Sequence, residues 1–169
     1  IQCTREYAGG IVGNTSKAES CENRGTVTVS GVYIEVRARY EAEYVGGIGG
    51  YVPAVDSCVN RGKILSRESC RTHFSSVAGV VGKAGNVSDC ENHGAVSVAG
   101  SYIAGVVGGN GGGSVVRCVN FAEIRNTTAS GEQTGGVASA GQLEQCYNIG
   151  RVIGFDFVGG VAGGTTNTS

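Results

Sequence analysis

Two short boxes alternate along the 169-residue chain, and no other feature of the sequence limits its fold as tightly. The first is glycine-rich and apolar, as in Tyr7-Ala8-Gly9-Gly10-Ile11-Val12-Gly13. It recurs over residues 7–13, 44–50, 76–82, 102–108, 133–139 and 157–163. Gly10, Gly47, Gly79, Gly105, Gly136 and Gly160 share one position, each followed by Ile or Val. The second box reads Cys-x-Asn-x-Gly-x-Val/Ile. Its copies are Cys21-Asn23-Gly25-Val27, Cys58-Asn60-Gly62-Ile64, Cys90-Asn92-Gly94-Val96, Cys118-Asn120-Ala122-Ile124 and Cys146-Asn148-Gly150-Val152. Such alternation marks a unit that buries its apolar face only by stacking on its neighbours.

The boxes hold Val, Ile, Tyr and Thr in short runs broken by Gly and Asn, which is strand-and-turn chemistry. No stretch shows a sustained 3.6-residue apolar period with caps, so helical repeats are disfavoured. Successive box cysteines are 37, 32, 28 and 28 residues apart. Turns of that length suit a parallel β-helix with connections of variable length, and such crossovers wind right-handed. The predicted fold is all-β: one right-handed parallel β-helix, or β-solenoid, of about five coils plus a partial sixth. It forms a single domain over residues 1–169, roughly 25 Å long at about 4.8 Å per coil. The chain opens on Ile1-Gln2-Cys3 without a signal-peptide pattern, and its last Gly box has no Cys-x-Asn partner after it. The pattern therefore predicts a piece of a longer protein, with flanking domains or end-to-end self-association as partners.

Cys, Asn, Gly and Val/Ile sit at offsets 0, 2, 4 and 6, one side of an extended chain. The residues between them, such as Glu22, Arg24 and Thr26, are solvent types. This parity predicts two inward ladders. One is Cys21, Cys58, Cys90, Cys118 and Cys146; the other is Asn23, Asn60, Asn92, Asn120 and Asn148. A buried carboxamide must satisfy its donors and its acceptor, and stacking Asn on Asn along the axis does so. The Gly after each Asn predicts a positive-φ turn or a crowded corner, and Ala122 argues against a strict φ requirement. By the same parity Tyr7, Tyr44, Tyr102 and Phe157 share the face of Ile11 and its equivalents, which reads as core filler. Two segments stand apart: Ile34 to Tyr44 alternates as a long half-exposed strand, and Gly108 to Gly113 reads as a flexible surface loop. That loop lacks the Lys-Ser/Thr of a phosphate-binding loop.

Taken together, the alternating boxes resemble the GLUG-motif repeat family. The resemblance runs from Tyr7 to Gly163, with departures at Gly49, Ala122, Ala138 and Ser139. It implies an extracellular, secreted or cell-surface repeat region of a bacterial protein, in some members adjoining an immunoglobulin A-specific metallopeptidase. It carries over no catalytic residue, because the shared motif is structural.

Charge and cysteine chemistry narrow the function classes. Lys+Arg 13 against Asp+Glu 14 leaves a net charge of −1, without the basic excess of a nucleic-acid-binding face. No apolar run reaches the ~18 residues of a membrane span. The column cysteines lack C-x₂-C spacing, and His73 and His93 fit no ligand pattern, so neither a metal nor a cofactor is expected. A coil spacing near 4.8 Å exceeds the ~3.8 Å between Cβ atoms that a disulfide prefers. The column therefore reads as buried free thiols. Cys3 and Cys70 lie outside it, and their spacing leaves both a bridge and two free thiols open.

Asp56 and Asp89 both precede a column Cys closely. Stacked, they would form the acid/base pair of a polysaccharide-degrading β-helix; two solvated turn residues are the plainer reading. The outward file Arg24, Arg61, His93, Phe121, Ile149 grades from basic to apolar, beside Glu22, Val59, Glu91, Val119 and Tyr147. Parity therefore exposes Val119, Phe121, Tyr147 and Ile149 together, a candidate contact patch for a host protein or glycan. Asn14, Asn86, Asn126 and Asn167 open Asn-x-Ser/Thr sequons, relevant only on a eukaryotic secretory route. The expected function is a non-catalytic scaffold: a spacer or a ligand-presenting, adhesin-like segment. The alternative is a carbohydrate-binding or carbohydrate-processing β-helix.

Overall fold

The first coil runs through five short strands: Tyr7–Gly9, Val12–Asn14, Lys17–Glu19, Glu22–Asn23 and Val27–Val29. The second repeats them as Tyr44–Gly46, Gly49–Tyr51, Ala54–Asp56, Val59–Asn60 and Ile64–Ser66. In this computed structural model, residues 2–3, 7–29, 44–66, 74–127, 133–164 and 166–168 are described. Equivalent strands of successive coils pair in parallel. They build five faces of six, four, six, five and six strands, in the order the first coil meets them. The chain is an all-β parallel β-helix. Among the described residues no helix is long and apolar enough to cross a membrane.

The pairing register is the box alignment read from the sequence. On the first face Tyr7, Tyr44, Ser76, Tyr102 and Gln133 are successive partners. On the fourth, Asn23, Asn60, Asn92, Asn120 and Asn148 are. A slip of one residue would turn every apolar side chain outward, so burial enforces this register. Smaller differences in coil length fall between faces two and three, and the largest fall at one corner, between the fifth face and the first face of the next coil. Val29 and Tyr44 bound a long connection there, whereas Val98 and Gly100 are separated by a single residue.

Bends within each coil decide which side chains face inward. The first lies at Gly10–Ile11 and its equivalents, between faces one and two. Ahead of it, Ala8, Val45, Val77 and Ile103 point into the core; after it, Ile48, Val80, Val106 and Val137 do. The bend breaks the even count, so the Tyr column lies outside and is not core filler. Tyr7 and Tyr44 stack with ring centroids 5.7 Å apart, Tyr51 lies 6.0 and 6.2 Å from them, and the Lys83 ammonium sits 4.8 Å from the Tyr44 ring centre. The second bend, at Gly25 and its equivalents, separates faces four and five. These glycines have ordinary negative-side φ. A Cβ on Gly62 or Gly94 would meet the carbonyl oxygen of the glycine in the coil below at 2.0 or 1.9 Å, so crowding favours glycine there, whereas Gly25 has no contact closer than 3.6 Å.

The core is divided. One apolar column joins Val27, Val29, Val45, Ile64, Val77, Val96 and Ile103 from faces one and five. The other joins Ile48, Val52, Val55, Val80, Val87, Val106 and the inner cysteines from faces two to four. Between them stands a polar pillar. A Cβ on Gly47 would meet Asn60 Oδ1 at 2.2 Å, and one on Gly79 would meet Asn92 Oδ1 at 2.1 Å. The Gly of the first box is thus the seat for the Asn of the second. The two boxes alternate because they touch across the coil.

The residue before each column Cys is strained. Ser20, Ser57, Asp89, Arg117 and Gln145 have φ of 52°, 51°, 52°, 50° and 52°. This left-handed corner turns face three into face four, and non-glycine residues visit that region at a cost. Ser57→Gly is expected to hold or raise the melting temperature. Ser57→Val, β-branched at positive φ, is expected to cost about 1–3 kcal/mol. Thermal unfolding of the pair checks this; equal melting would contradict it.

One local expectation needs correction. Gly108 to Gly113 is not a free loop. Val107–Asn110 is a strand, and Asn110 closes the turn after it, its Oδ1 accepting from Gly112 and Gly113 N–H at 3.0 Å and its Nδ2 donating to the Gly113 carbonyl at 2.8 Å. Asn126 is buried and donates to the Gly100 carbonyl at 2.9 Å, so its sequon is closed to a glycan in the folded state. All but the last residue of the long strand read over Ile34 to Tyr44 and the Cys70 side of the Cys3–Cys70 pairing lie outside the described residues, as does the Cys3 side chain.

Candidate functional site

The Asn ladder is continuous. Nδ2 of Asn23, Asn60, Asn92 and Asn120 donates to Oδ1 of the next Asn at 2.8, 2.8, 2.7 and 2.7 Å. Each Nδ2 also donates to the carbonyl two residues on, as in Asn60 to Gly62 at 2.8 Å. Each Oδ1 from Asn23 to Asn120 accepts the N–H of that same residue, as in Gly62 to Asn60 at 3.2 Å. Every carboxamide from Asn23 to Asn120 therefore closes its own bend and locks it to the coil above. Ala122 fits the scheme, its N–H donating to Asn120 Oδ1 at 3.3 Å.

The thiols form the second ladder. Cys58, Cys90 and Cys118 are fully buried, while Cys21 and Cys146 are partly exposed; all five are free. Each thiol donates to the carbonyl two residues back, across the strained corner, as in Cys90 to Ser88 at 3.0 Å. Cys58, Cys90 and Cys146 Sγ also accept a backbone N–H from the coil below, from Cys21, Cys58 and Cys118 at 3.4, 3.4 and 3.5 Å. Cysteine suits this place as a small apolar group with a weak donor and acceptor. The Cys90 and Cys146 thiols are held above the ordinary thiol range, by hydrogen bonding with Cys118 first and by burial as well. Iodoacetamide is expected to alkylate the partly exposed Cys21 and Cys146 in the folded protein, more slowly than an unperturbed thiol because both are held protonated, and Cys58, Cys90 and Cys118 only on unfolding. Peptide mapping by mass spectrometry reads this out, and native labelling of Cys90 as fast as Cys146 would contradict it.

The outer side of face four carries the chemistry left over. Its first coils are an ion-paired surface, with Glu22 accepting from Arg24 at 2.9 Å and from Arg61 at 2.7 Å. His93 pairs with Glu91 at 2.8 Å and stacks on Phe121, ring centroids 4.4 Å apart. Higher up, Asp89, Glu91, Arg117, Val119, Gln145 and Tyr147 line an open groove of about 440 Å³. Arg117 grips Asp89 with two parallel bonds, Nε to Oδ1 at 2.7 Å and Nη2 to Oδ2 at 2.5 Å. Those bonds hold the Asp89 carboxyl below the usual carboxylate range.

Of the four predicted patch residues, Phe121, Tyr147 and Ile149 are exposed, at 38%, 54% and 65%. Val119 is not, at 6%. It faces outward between its ladder partners Glu91 and Tyr147, and these longer side chains leave it as the floor of the groove. Sequence parity gave its direction but not the height of its neighbours. Asp56 and Asp89 do not stack. Asp56 is in register with Glu19 and Ser88 and accepts from the Ser88 hydroxyl, whereas Asp89 occupies the corner file next to it. No cluster of three or more His, Cys, Asp or Glu fit to hold a metal occurs among the described residues. Asp89 and Glu91 were named from the sequence, one as an acid/base candidate and one beside the outward file; Arg117 and Gln145 were missed because they sit on the corner file, which has no sequence signature: Ser, Ser, Asp, Arg and Gln share only a backbone angle. No family model, curated protein or solved structure matches the chain.

Proposed function

We propose that this chain is a non-catalytic scaffold, a rigid spacer and ligand-presenting segment of a bacterial secreted or surface protein. One observation carries the reading: the repeated Cys, Asn and Gly are consumed in the rod's own interior, so the repeat encodes length and stiffness. A repeat kept for chemistry would place its invariant polar groups where a substrate reaches them. The extracellular, bacterial setting rests on the resemblance to GLUG-motif repeats. The alternative of a carbohydrate-processing β-helix draws support from the face-four groove. Its Asp89, however, is pushed toward the ionised form by Arg117, whereas a glycosidase general acid needs a carboxyl raised toward neutrality. Glycan binding without turnover agrees with both the groove and the scaffold.

Two measurements test the reading. Duplication of residues 91–118 is expected to lengthen the particle by about 4.8 Å in solution scattering while the fold is kept. Incubation with a glycan panel is expected to leave every member uncleaved. Reproducible cleavage would overturn the non-catalytic assignment.

A further inference from the structure

We propose that the groove on the outer side of face four binds a neutral pyranose ring of a glycan. This deepens the ligand-presenting reading above and rests on it. The site is two files of three residues from three consecutive coils: Asp89, Arg117 and Gln145 at the strained corner, and Glu91, Val119 and Tyr147 beside them. Its depth comes from the middle coil, where a valine stands between a glutamate and a tyrosine. The volume, about 440 Å³, is within the ~300–1,000 Å³ of small-ligand sites.

A pyranose has hydroxyls around its rim, each able to donate and accept, and a C–H face that packs on an aromatic ring. The groove offers both halves. Arg117 and Asp89 form a fixed planar pair. A guanidinium has five N–H donors, of which this pair uses two, and both Asp89 oxygens keep lone pairs. The Gln145 amide adds a donor and an acceptor. Glu91 turns only Oε2 to His93, which leaves Oε1 as a further acceptor. Across the floor, the half-exposed Tyr147 ring supplies the apolar platform. Glu91, Val119 and Tyr147 lie on paired parallel strands, and the left-handed corner beside them fixes the backbone of Asp89, Arg117 and Gln145, so little backbone ordering is needed on binding.

Charge selects among sugars. Arg117 offsets Asp89, and Glu91 leaves the groove negative, which repels uronates, sulfated sugars and phosphates. In the first two coils the equivalent positions are Ser20, Ser57, Glu22 and Val59, which provide neither the planar pair nor the ring.

The test is a titration of the whole chain, followed by NMR or calorimetry, with methyl β-glucopyranoside, methyl β-galactopyranoside and methyl β-glucuronide. At least one neutral glycoside is expected to saturate with a Kd of about 1–10 mM, and the glucuronide to bind about tenfold more weakly. Tyr147→Ala, at an exposed ring, and Val119→Phe, which fills the floor, are each expected to weaken binding about tenfold. Arg24→Ala, in the first coil, is expected to leave it unchanged. Circular dichroism checks the fold of each variant, and Tyr147→Ala decides alone if Val119→Phe fails to fold. Absence of saturable binding to both neutral glycosides, equal or tighter binding of the glucuronide, or affinity untouched in Tyr147→Ala would overturn the proposal. Those failures leave the spacer standing. Cleavage with binding intact does the reverse: it keeps the groove and removes the non-catalytic reading.

Discussion

Gly79→Ala is expected to break the rod at its middle, with a fall in melting temperature of about 10 °C. The new methyl carbon would lie 2.1 Å from Asn92 Oδ1 and 2.3 Å from the Gly105 carbonyl oxygen. Neither can give way cheaply. The carboxamide is tied on both sides to other coils, and the carbonyl belongs to the backbone of the coil above. Overpacking costs ~1–3 kcal/mol where a core can shift and more where it cannot. About 3 kcal/mol or more is expected here, or ~2–4 °C per kcal/mol for a chain of this size. Gly160→Ala is the control. It occupies the same box position, yet nothing lies within 4 Å of the added carbon, so its melting is expected to be that of the parent. Calorimetric scans of the two variants decide the matter, and near-equal melting would remove the account of why the first box keeps its glycine.

The second large effect is expected at Asn92. Its Nδ2 donates to Asn120 Oδ1 at 2.7 Å and to the Gly94 carbonyl at 3.0 Å; its Oδ1 accepts from Asn60 at 2.8 Å and from Gly94 N–H at 3.3 Å. Alanine removes all four bonds and leaves their partners buried, each at ~1–3 kcal/mol if nothing replaces the bond. Because Asn60 Nδ2 keeps its bond to Gly62 and Asn120 Oδ1 its bond from Ala122, the net cost is expected near 4 kcal/mol. Asn148→Ala, in a half-exposed position, is expected to cost about 1 kcal/mol. The Gly79→Ala/Asn92→Ala double variant is expected to fall short of the sum of the singles by ~0.5–3 kcal/mol, as for residues in contact. Strict additivity would mean that the two boxes do not meet.

Much of this was legible in the chain itself. The register could be read because Cys, Asn and Gly recur as identities, and side chains that contact their own copies must line up. The inward direction of Cys and Asn followed from alternation with Glu22, Arg24, Arg61 and Lys63. The argument from alternation failed at Tyr7 and Tyr44 because Gly10 and Gly47 bend the chain, and counting by twos holds only along an unbroken strand. It failed for Val119 because exposure depends on neighbours from other coils. The left-handed corner was invisible because its cost is met by five unlike residues, helped by a thiol one position later. The contact between Gly79 and Asn92 was out of reach of any local pattern, since it crosses the interior of the coil.

The carboxamide column has a sense of direction. From Asn23 to Asn120 one N–H of each carboxamide points the same way along the axis, so the column is a one-way wire with an acceptor at its foot and a donor at its crown. Rods spliced in series can hand the current of hydrogen bonds from one to the next. Rods spliced crown to crown would set amide hydrogen against amide hydrogen, and no choice of linker would mend that joint.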